Sequence, residues 1–276
     1  MWRGVFLMLR TTSGFAVIVA VALSITCFAE DNVPANAHVN ALLDKTSHEV
    51  AEFLDQMSDV KCTETVLQEK LNPGGRKEYA ERATYDYLIL LQGNGDELTL
   101  NESRLLQRQD AKRKNNLPLL ITNGFSTLFL IFHPYYRDSF RFEEEGPEVV
   151  DGATLTRIRF THIAGTRTPA ALSVRGREYP LELTGTAWIV PENGRIAKID
   201  ASLANDMHDV GLRTLDVEVI YSAISLPGWD DKYRFPLSAR VDVETLKQHW
   251  RNVHEFSGYK RFTVASESVV AEKTEQ

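Results

Sequence analysis

The stretch LDVEVIYS, residues 215–222, decides the fold class, because apolar and polar side chains alternate along most of it. The positions that share the apolar side are Leu215, Val217, Val219 and Tyr221. A period of two is typical of a β-strand with one face on a core and the other in water. The same alternation occurs in residues 85–91, 156–160 and 235–243, and in the last run the positions predicted to face the core are Phe235, Leu237, Ala239, Val241 and Val243.

Turn-forming residues separate these runs. Residues 72–75, 93–96, 151–152 and 191–194 are rich in Gly, Asn, Asp and Pro, which suit the tight turns of hairpins. Parallel strands would instead need long crossover connections, usually helical. We therefore predict about seven or more strands in antiparallel hairpins, and the absence of a strand–helix–strand rhythm argues against a parallel nucleotide-binding sheet.

One amphipathic helix is predicted ahead of the strands, over residues 35–56. Its apolar residues recur at steps of three to four and include Val39, Leu43, Val50, Phe53, Leu54 and Met57. The opposite side is charged, so this helix is expected to lay one stripe on the rest of the protein.

An uncharged stretch, GFSTLFLIF at residues 124–132, interrupts the strand pattern. Thr122 and Asn123 can cap a helix, and His133-Pro134 would end it. A helix that is apolar nearly all round is buried on several sides or lies inside a cavity, and this one is too short to span a membrane. A buried strand remains an alternative, because short apolar runs are ambiguous by period alone.

The first 29 residues have the pattern of a secretory signal peptide. Arg3 and Arg10 precede an apolar run over residues 14–29, and no acidic residue occurs before Glu30. We predict cleavage near Ala29 and a periplasmic or secreted protein, with an uncleaved anchor as the alternative. Lipidation at Cys27 is disfavoured, because the residues before it do not fit the bacterial lipobox. Cys62 then remains as the one thiol, and it is expected to face the core.

The composition bounds the class of protein. The chain has 276 residues, of which 43% are hydrophobic and 25% charged, with a net charge of −7. This balance excludes wholesale disorder, and an acidic chain lacks the basic footprint of nucleic-acid binding, so no nucleic-acid partner is expected. We predict a signal peptide at 1–29, a single β half-barrel domain at 30–265 and a polar C-terminal tail at 266–276.

Signatures of catalysis and of metal binding are missing from the sequence. It has no Gly-x-Ser-x-Gly elbow, no phosphate-binding glycine loop and no His-Glu-x-x-His pair. His249 and His254 are five residues apart, which places them on opposite faces of a strand. We expect no catalytic residue, no metal and no cofactor. A hydrolase whose site is assembled from distant residues, such as His133 or His162, remains an alternative.

The order of these pieces resembles a known family. An export signal, one leading helix, long antiparallel strands, an apolar helical insertion and the hairpin GTAWIVPENGRIAKI at 185–199 are similar to the periplasmic lipoprotein carriers of the LolA/LolB/RseB-like superfamily. The resemblance is one of architecture. It implies an α+β fold, in which a curved antiparallel sheet forms an unclosed barrel around an apolar cavity that holds acyl chains. This chain is longer than the simple carriers and adds a basic loop at 162–177.

The resemblance and the patterns together predict a ligand site. The predicted lining of the cavity is Phe125, Leu128, Phe129, Ile131, Phe132, Tyr85, Tyr87 and Trp188. The predicted rim or loop residues are His133, Tyr135, Arg167 and Arg175. The expected function is non-enzymatic: to hold or sense an acyl chain or other apolar ligand at the cell envelope, with an envelope protein partner and peripheral membrane contact as further expectations. The alternative is an envelope protein–protein interaction module whose interior is filled by its own side chains.

Overall fold

The computed structural model describes residues 35–57, 60–94, 97–109, 124–174, 177–228 and 233–261. The predicted signal peptide and C-terminal tail lie outside the described residues, as do the capping pair Thr122 and Asn123 and the loop residue Arg175. The division of the chain into segments at 29 and 265 therefore stays a prediction.

Strands dominate the described residues. They are β1 Val60–Leu71, β2 Lys77–Asn94, β3 Glu97–Gln109, β4 Phe140–Val150, β5 Ala153–His162, β6 Ala171–Val174, β7 Arg177–Pro180, β8 Leu183–Ile189, β9 Ile196–Leu203, β10 Leu212–Ile224, β11 Tyr233–Thr245 and β12 His249–Arg261. The helices are α1 Ala35–Met57, a 3₁₀ helix Phe125–Phe132, which we call the plug helix, α2 Pro134–Arg137 and a short 3₁₀ turn His208–Val210. None of the described helices is long and apolar enough to cross a membrane.

Ten strands form one antiparallel sheet in the order β3-β2-β1-β12-β11-β10-β9-β8-β5-β4. Within the described residues the sheet ends at β3 on one side and at β4 on the other, so it is not closed into a barrel. The remaining strands, β6 and β7, form a separate two-stranded antiparallel sheet, and β6 lies within the stretch 162–177 that the sequence predicts to be one long loop. The predicted fold class, α+β with an unclosed antiparallel sheet, is confirmed.

One face of the sheet, which we call the inner face, is covered by α1 and the plug helix. Leu215, Val217, Val219 and Tyr221 are all buried on it, as the alternation in β10 predicts. In β11 the prediction fails at Leu237, which is 47% exposed. Ile220 pairs with Ser238 and Tyr221 with Pro236, so Leu237 is an extra residue at a register shift and leaves the inner face.

Helix α1 lays its apolar stripe on this interior. Its buried residues are Leu42, Leu43, Val50, Phe53, Leu54 and Met57. The ring of Phe53 packs on Phe235 of β11, with 5.1 Å between the centroids. On its polar side, Lys45 Nζ donates hydrogen bonds of 3.1 Å to two carbonyl oxygens of the 191–194 turn. This turn approaches α1 so closely that a Cβ on Gly194, which has φ +75°, would lie 2.8 Å from the backbone nitrogen of Thr46.

The plug helix is helical, as predicted, but its hydrogen bonding is of the 3₁₀ type. Gly124, with φ +80°, occupies the position before it and makes no side-chain capping bond. The helix ends at His133, whose Nδ1 accepts a hydrogen bond from the backbone N–H of Tyr135 and so caps α2. All eight residues of the plug helix are buried. Its helical hydrogen bonding excludes the alternative of a buried strand.

Candidate functional site

The plug helix packs in the interior between α1 and the sheet. Phe129 makes an edge-on contact with Phe53, with 5.2 Å between centroids, and a second with Tyr221 at 6.1 Å. Phe132 lies 5.1 Å from Phe142 and 6.3 Å from Phe160 by the same measure. Aromatic contacts of this kind stabilise the packing beyond simple burial. The chain's own side chains therefore occupy the space in which the sequence predicts a ligand.

The five plug residues of the predicted lining lie together in this interior. Their exposed fractions run from 0% to 9%, for Phe125, Leu128, Phe129, Ile131 and Phe132. Tyr87 is buried on the inner face of β2, and Tyr85, which is half-buried, pairs in register with Glu64 of β1. Contact of any of these residues with a ligand stays a prediction.

Trp188 lies elsewhere, on the outer face of the sheet. Its Nε1 donates to Glu148 at 3.0 Å, and Lys198 Nζ lies 4.7 Å from the centre of the ring. Its neighbours Ala187 and Ile189 are fully buried, so the alternation of β8 turns Trp188 outward. The alternation set by the buried neighbours Ala187 and Ile189 therefore decides the face on which Trp188 lies.

A small crevice remains at the edge of the plug. It opens between α1, the plug helix and strands β10 and β11, and its volume is about 30 Å³. Its walls and mouth include Glu49, Phe53, Phe129, Arg195, Tyr221, Tyr233 and Arg234. Since a water needs roughly 10–15 Å³ of such space, this crevice accepts about two or three water-sized groups and is too small for an acyl chain.

The rim residues are partly brought together. The Arg167 guanidinium lies 4.5 Å from the ring centre of Tyr135, and both line a surface groove of about 460 Å³. His133 is half-buried at the start of α2, where burial lowers the pKa of its imidazole against the opposing charge of Asp55. His162 lies deeper, with its Nε2 3.0 Å from the carbonyl oxygen of Arg167.

A buried polar cluster on the inner face escapes the sequence patterns. It joins β1, β2, β3, β12 and the plug helix through Glu64, Tyr87, Glu102, Arg104, Ser126 and His254. His254 Nδ1 lies 2.7 Å from Glu64 Oε1, and Arg104 Nη2 donates to the same oxygen at 3.0 Å. Glu64 and His254 are 190 positions apart in the sequence, so no local spacing could reveal their contact.

The cluster also bonds the plug helix through the hydroxyl of Ser126. Tyr87 donates to Glu102 Oε1 at 2.9 Å, and its hydroxyl lies 2.7 Å from Ser126 Oγ of the plug helix. Burial raises the pKa of the Tyr87 phenol, and the charge of Glu102 adds to that rise. Arg104 completes the cluster through an ion pair of 2.9 Å with Glu102.

The thiol of Cys62 and the imidazoles of His249 and His254 each have a defined environment in the structure. Burial raises the pKa of the Cys62 thiol to about 12, so it packs in the core as predicted and is a poor nucleophile. His254 faces inward to Glu64, whereas His249 lies 3.5 Å from Asp242. Over the described ranges, no three His, Cys, Asp or Glu side chains cluster as a metal site would require.

No protein-family model matches this chain, and no curated protein matches its sequence. Solved structures with a similar architecture include a DUF1329 family protein from Desulfovibrio piger, which is 14% identical with a TM-score of 0.42 over 83% of this chain and 95% of that one. A domain described as outer membrane lipoprotein-sorting, from Vibrio parahaemolyticus, is 12% identical with a TM-score of 0.36 over 82% and 95%.

The lipoprotein LppX from Mycobacterium tuberculosis is 10% identical with a TM-score of 0.25, over 83% of this chain and 99% of its own. These structures include the class of protein that the sequence resembles. Identities this low and TM-scores below 0.5 restrict the likeness to architecture and carry no argument about a ligand.

Proposed function

We propose that this protein is a non-enzymatic binding protein that holds or senses an acyl chain or other apolar ligand at the cell envelope. In this proposal the plug helix occupies the ligand's place while the protein is empty. The observation that carries the proposal is the way the inner face is covered. The apolar face of an unclosed sheet meets a separate segment, Phe125–Phe132, that belongs to no strand and is buried along its whole length.

The conformation of this segment supports displacement. A 3₁₀ helix rarely runs beyond about three to four residues, because its hydrogen bonds are poorly aligned. The plug helix has eight residues, and Thr127 interrupts its helical φ/ψ values. Its conformation therefore depends on its buried contacts with the rest of the protein more than on its own hydrogen bonds. Hydrocarbon can replace hydrocarbon in such a site, since each buried CH₂ contributes roughly 0.8 kcal/mol whichever molecule supplies it.

Uptake of a fluorescent fatty-acid analogue by the purified protein tests the proposal. We expect saturable binding with one probe per chain, and competition by unlabelled fatty acid of the same length. Trp188→Phe serves as the control variant, because Trp188 lies on the outer face, and it should bind the probe as the wild type does. Absence of uptake over a range of chain lengths would contradict the proposal.

A second candidate is a protein-interaction module in the same compartment. The crevice of about 30 Å³ favours it, because an interior filled by the chain itself needs no ligand. Capture of an envelope protein by immobilised protein, together with no probe uptake, would select this candidate.

In either case we propose that residues 1–29 direct export of the protein. N-terminal sequencing of the mature protein tests this proposal, and we expect a start near Glu30.

A further inference from the structure

The residues that line the crevice beside Phe129 include two arginines, Arg195 and Arg234. Arg195 Nε donates to Glu49 Oε2 of α1 at 2.9 Å. Arg234 Nη1 donates at 2.9 Å to the backbone carbonyl oxygen of Tyr221. The side chain of Arg195 is only 17% exposed, and Arg234 is also partly buried. Both charges are therefore held at the opening by specific contacts.

Among the described residues that line the crevice, two are arginines, Arg195 and Arg234, and one is a carboxylate, Glu49. Glu49 supplies one carboxylate and is already engaged by Arg195. Within the ranges that the structure describes, the partner of Arg234 is an uncharged carbonyl oxygen and no carboxylate pairs with it. Burial lowers the pKa of Arg234, and the neighbouring charge of Arg195 lowers it further. An anion between the two guanidinium groups would relieve both effects.

The walls behind this charge are aromatic. Phe53, Phe129, Tyr221 and Tyr233 line the crevice, and the Arg195 guanidinium lies 5.4 Å from the ring centre of Tyr233. Two arginines beside aromatic walls are complementary to an amphiphile with a small anionic head. Guanidinium groups bind carboxylates through paired, charge-assisted hydrogen bonds. The space of about 30 Å³ suits a group as small as a carboxylate.

We infer that Arg195 and Arg234 bind the carboxylate of a fatty acid, whose chain enters the interior at the position of Phe129. This inference rests on the proposed function and adds to it the chemical class of the ligand and the residues that recognise its head. The groove at Tyr135 and Arg167 is larger but less suited to this role, since Arg167 is exposed and its guanidinium already stacks on a ring.

The test compares a fatty acid with its own methyl ester, which has the same chain and no charge, by competition with the fluorescent probe at neutral pH. We expect the wild type to bind the acid at least roughly tenfold more tightly than the ester, as charged hydrogen bonds of this kind typically allow. Arg234→Gln should remove this preference and leave the affinity for the ester unchanged. Arg234→Lys should keep part of the preference.

Arg240→Gln is the matched control, because Arg240 lies on the same strand with a side chain 54% exposed and pairs with Asp242. It should retain the full preference for the acid, and thermal unfolding of each variant would show that it is folded. Equal binding of acid and ester by the wild type, or a preference that survives Arg234→Gln, would overturn the inference while leaving the proposed function in place.

Acetate, a carboxylate with no chain, separates the two claims in the other direction. Weak acetate binding that Arg234→Gln abolishes, with no binding of either long chain, would support an anion site and contradict the proposed function. Failure of acid, ester and acetate alike would overturn both.

Discussion

At the level of single residues, the carboxylate of Glu64 is fully buried and therefore needs partners inside the protein. Burial of a charge is unfavourable unless partners compensate for the lost water. His254 and Arg104 provide that compensation through direct hydrogen bonds. Removal of one partner of Glu64 is therefore expected to lower the stability by more than the net contribution of the whole cluster, because it leaves a buried charge without compensation.

Replacing Arg104 with Met should lower the free energy of unfolding by about 3 kcal/mol or more, because Glu64 and Glu102 would lose their shared cation in a buried setting. Urea denaturation followed by circular dichroism measures this loss. Arg240→Met, which breaks an exposed ion pair, should cost less than about 1 kcal/mol. Similar losses for both variants would contradict the role assigned to the cluster.

The same carboxylate predicts how stability depends on pH. Burial would raise the pKa of Glu64, but hydrogen bonds from His254 and Arg104 outweigh burial and leave it below its ordinary value. A lowered pKa gives stability that is fully present above the unfolded value, about 4.3, and is lost as the pH falls through the folded value. The urea concentration at the midpoint of unfolding should therefore decrease as the pH is lowered below about 4.3. Glu64→Gln should show a shallower fall, and an identical slope would contradict the assignment.

Gly185 in β8 is a site where one methyl group should disrupt the sheet. A Cβ there would lie 2.7 Å from the ring of Phe160 and 2.9 Å from Cα of Ala201, and it would also collide with the carbonyl oxygen of Asp200. Gly185→Ala should destabilise the protein by about 3 kcal/mol or more, since the backbone cannot yield as a side chain can. The control is Gly74→Ala, whose nearest neighbour is the Asn72 side chain at 3.3 Å. Equal melting temperatures for the two variants would refute this packing.

At the scale of elements, periodicity predicts most of the structure. The helix expected at residues 35–56 is observed at Ala35–Met57, and the apolar stretch is a buried helix ended by His133-Pro134. Local patterns fail where pairing between strands decides, as at Leu237, which a register shift turns outward. They also fail for the polar cluster, because its members meet only after distant strands have paired.

Phe129 is a buried residue of the plug helix beside the crevice. Phe129→Ala should lower the free energy of unfolding by about 3–5 kcal/mol, the usual loss for a buried phenylalanine, and should enlarge the adjoining crevice. An apolar cavity of this kind stays dry and accepts hydrocarbon, so probe affinity should rise. Val149→Ala, at a side chain that is 69% exposed, should change stability by less than about 0.5 kcal/mol and leave affinity unaltered. A stable Phe129→Ala variant with unchanged affinity would argue against a ligand path at Phe129.

At the scale of the whole molecule, the sheet does not close and its inner face depends on two separate covers, α1 and the plug helix. The sequence predicts an apolar face and an apolar insertion, but not whether the insertion fills the space, because that depends on the path of the chain between β3 and β4. In the structure the insertion is buried in that space. A binding role for this space therefore requires displacement of the plug helix.

Hydrogen exchange of the plug helix, measured with and without fatty acid, tests that claim most directly. We expect fatty acid at saturation to accelerate exchange of the backbone amides of residues 125–133, while the amides of β10 and β11 keep their protection. Saturable binding with unchanged exchange in residues 125–133 would contradict displacement of the plug helix and with it the proposed mode of binding.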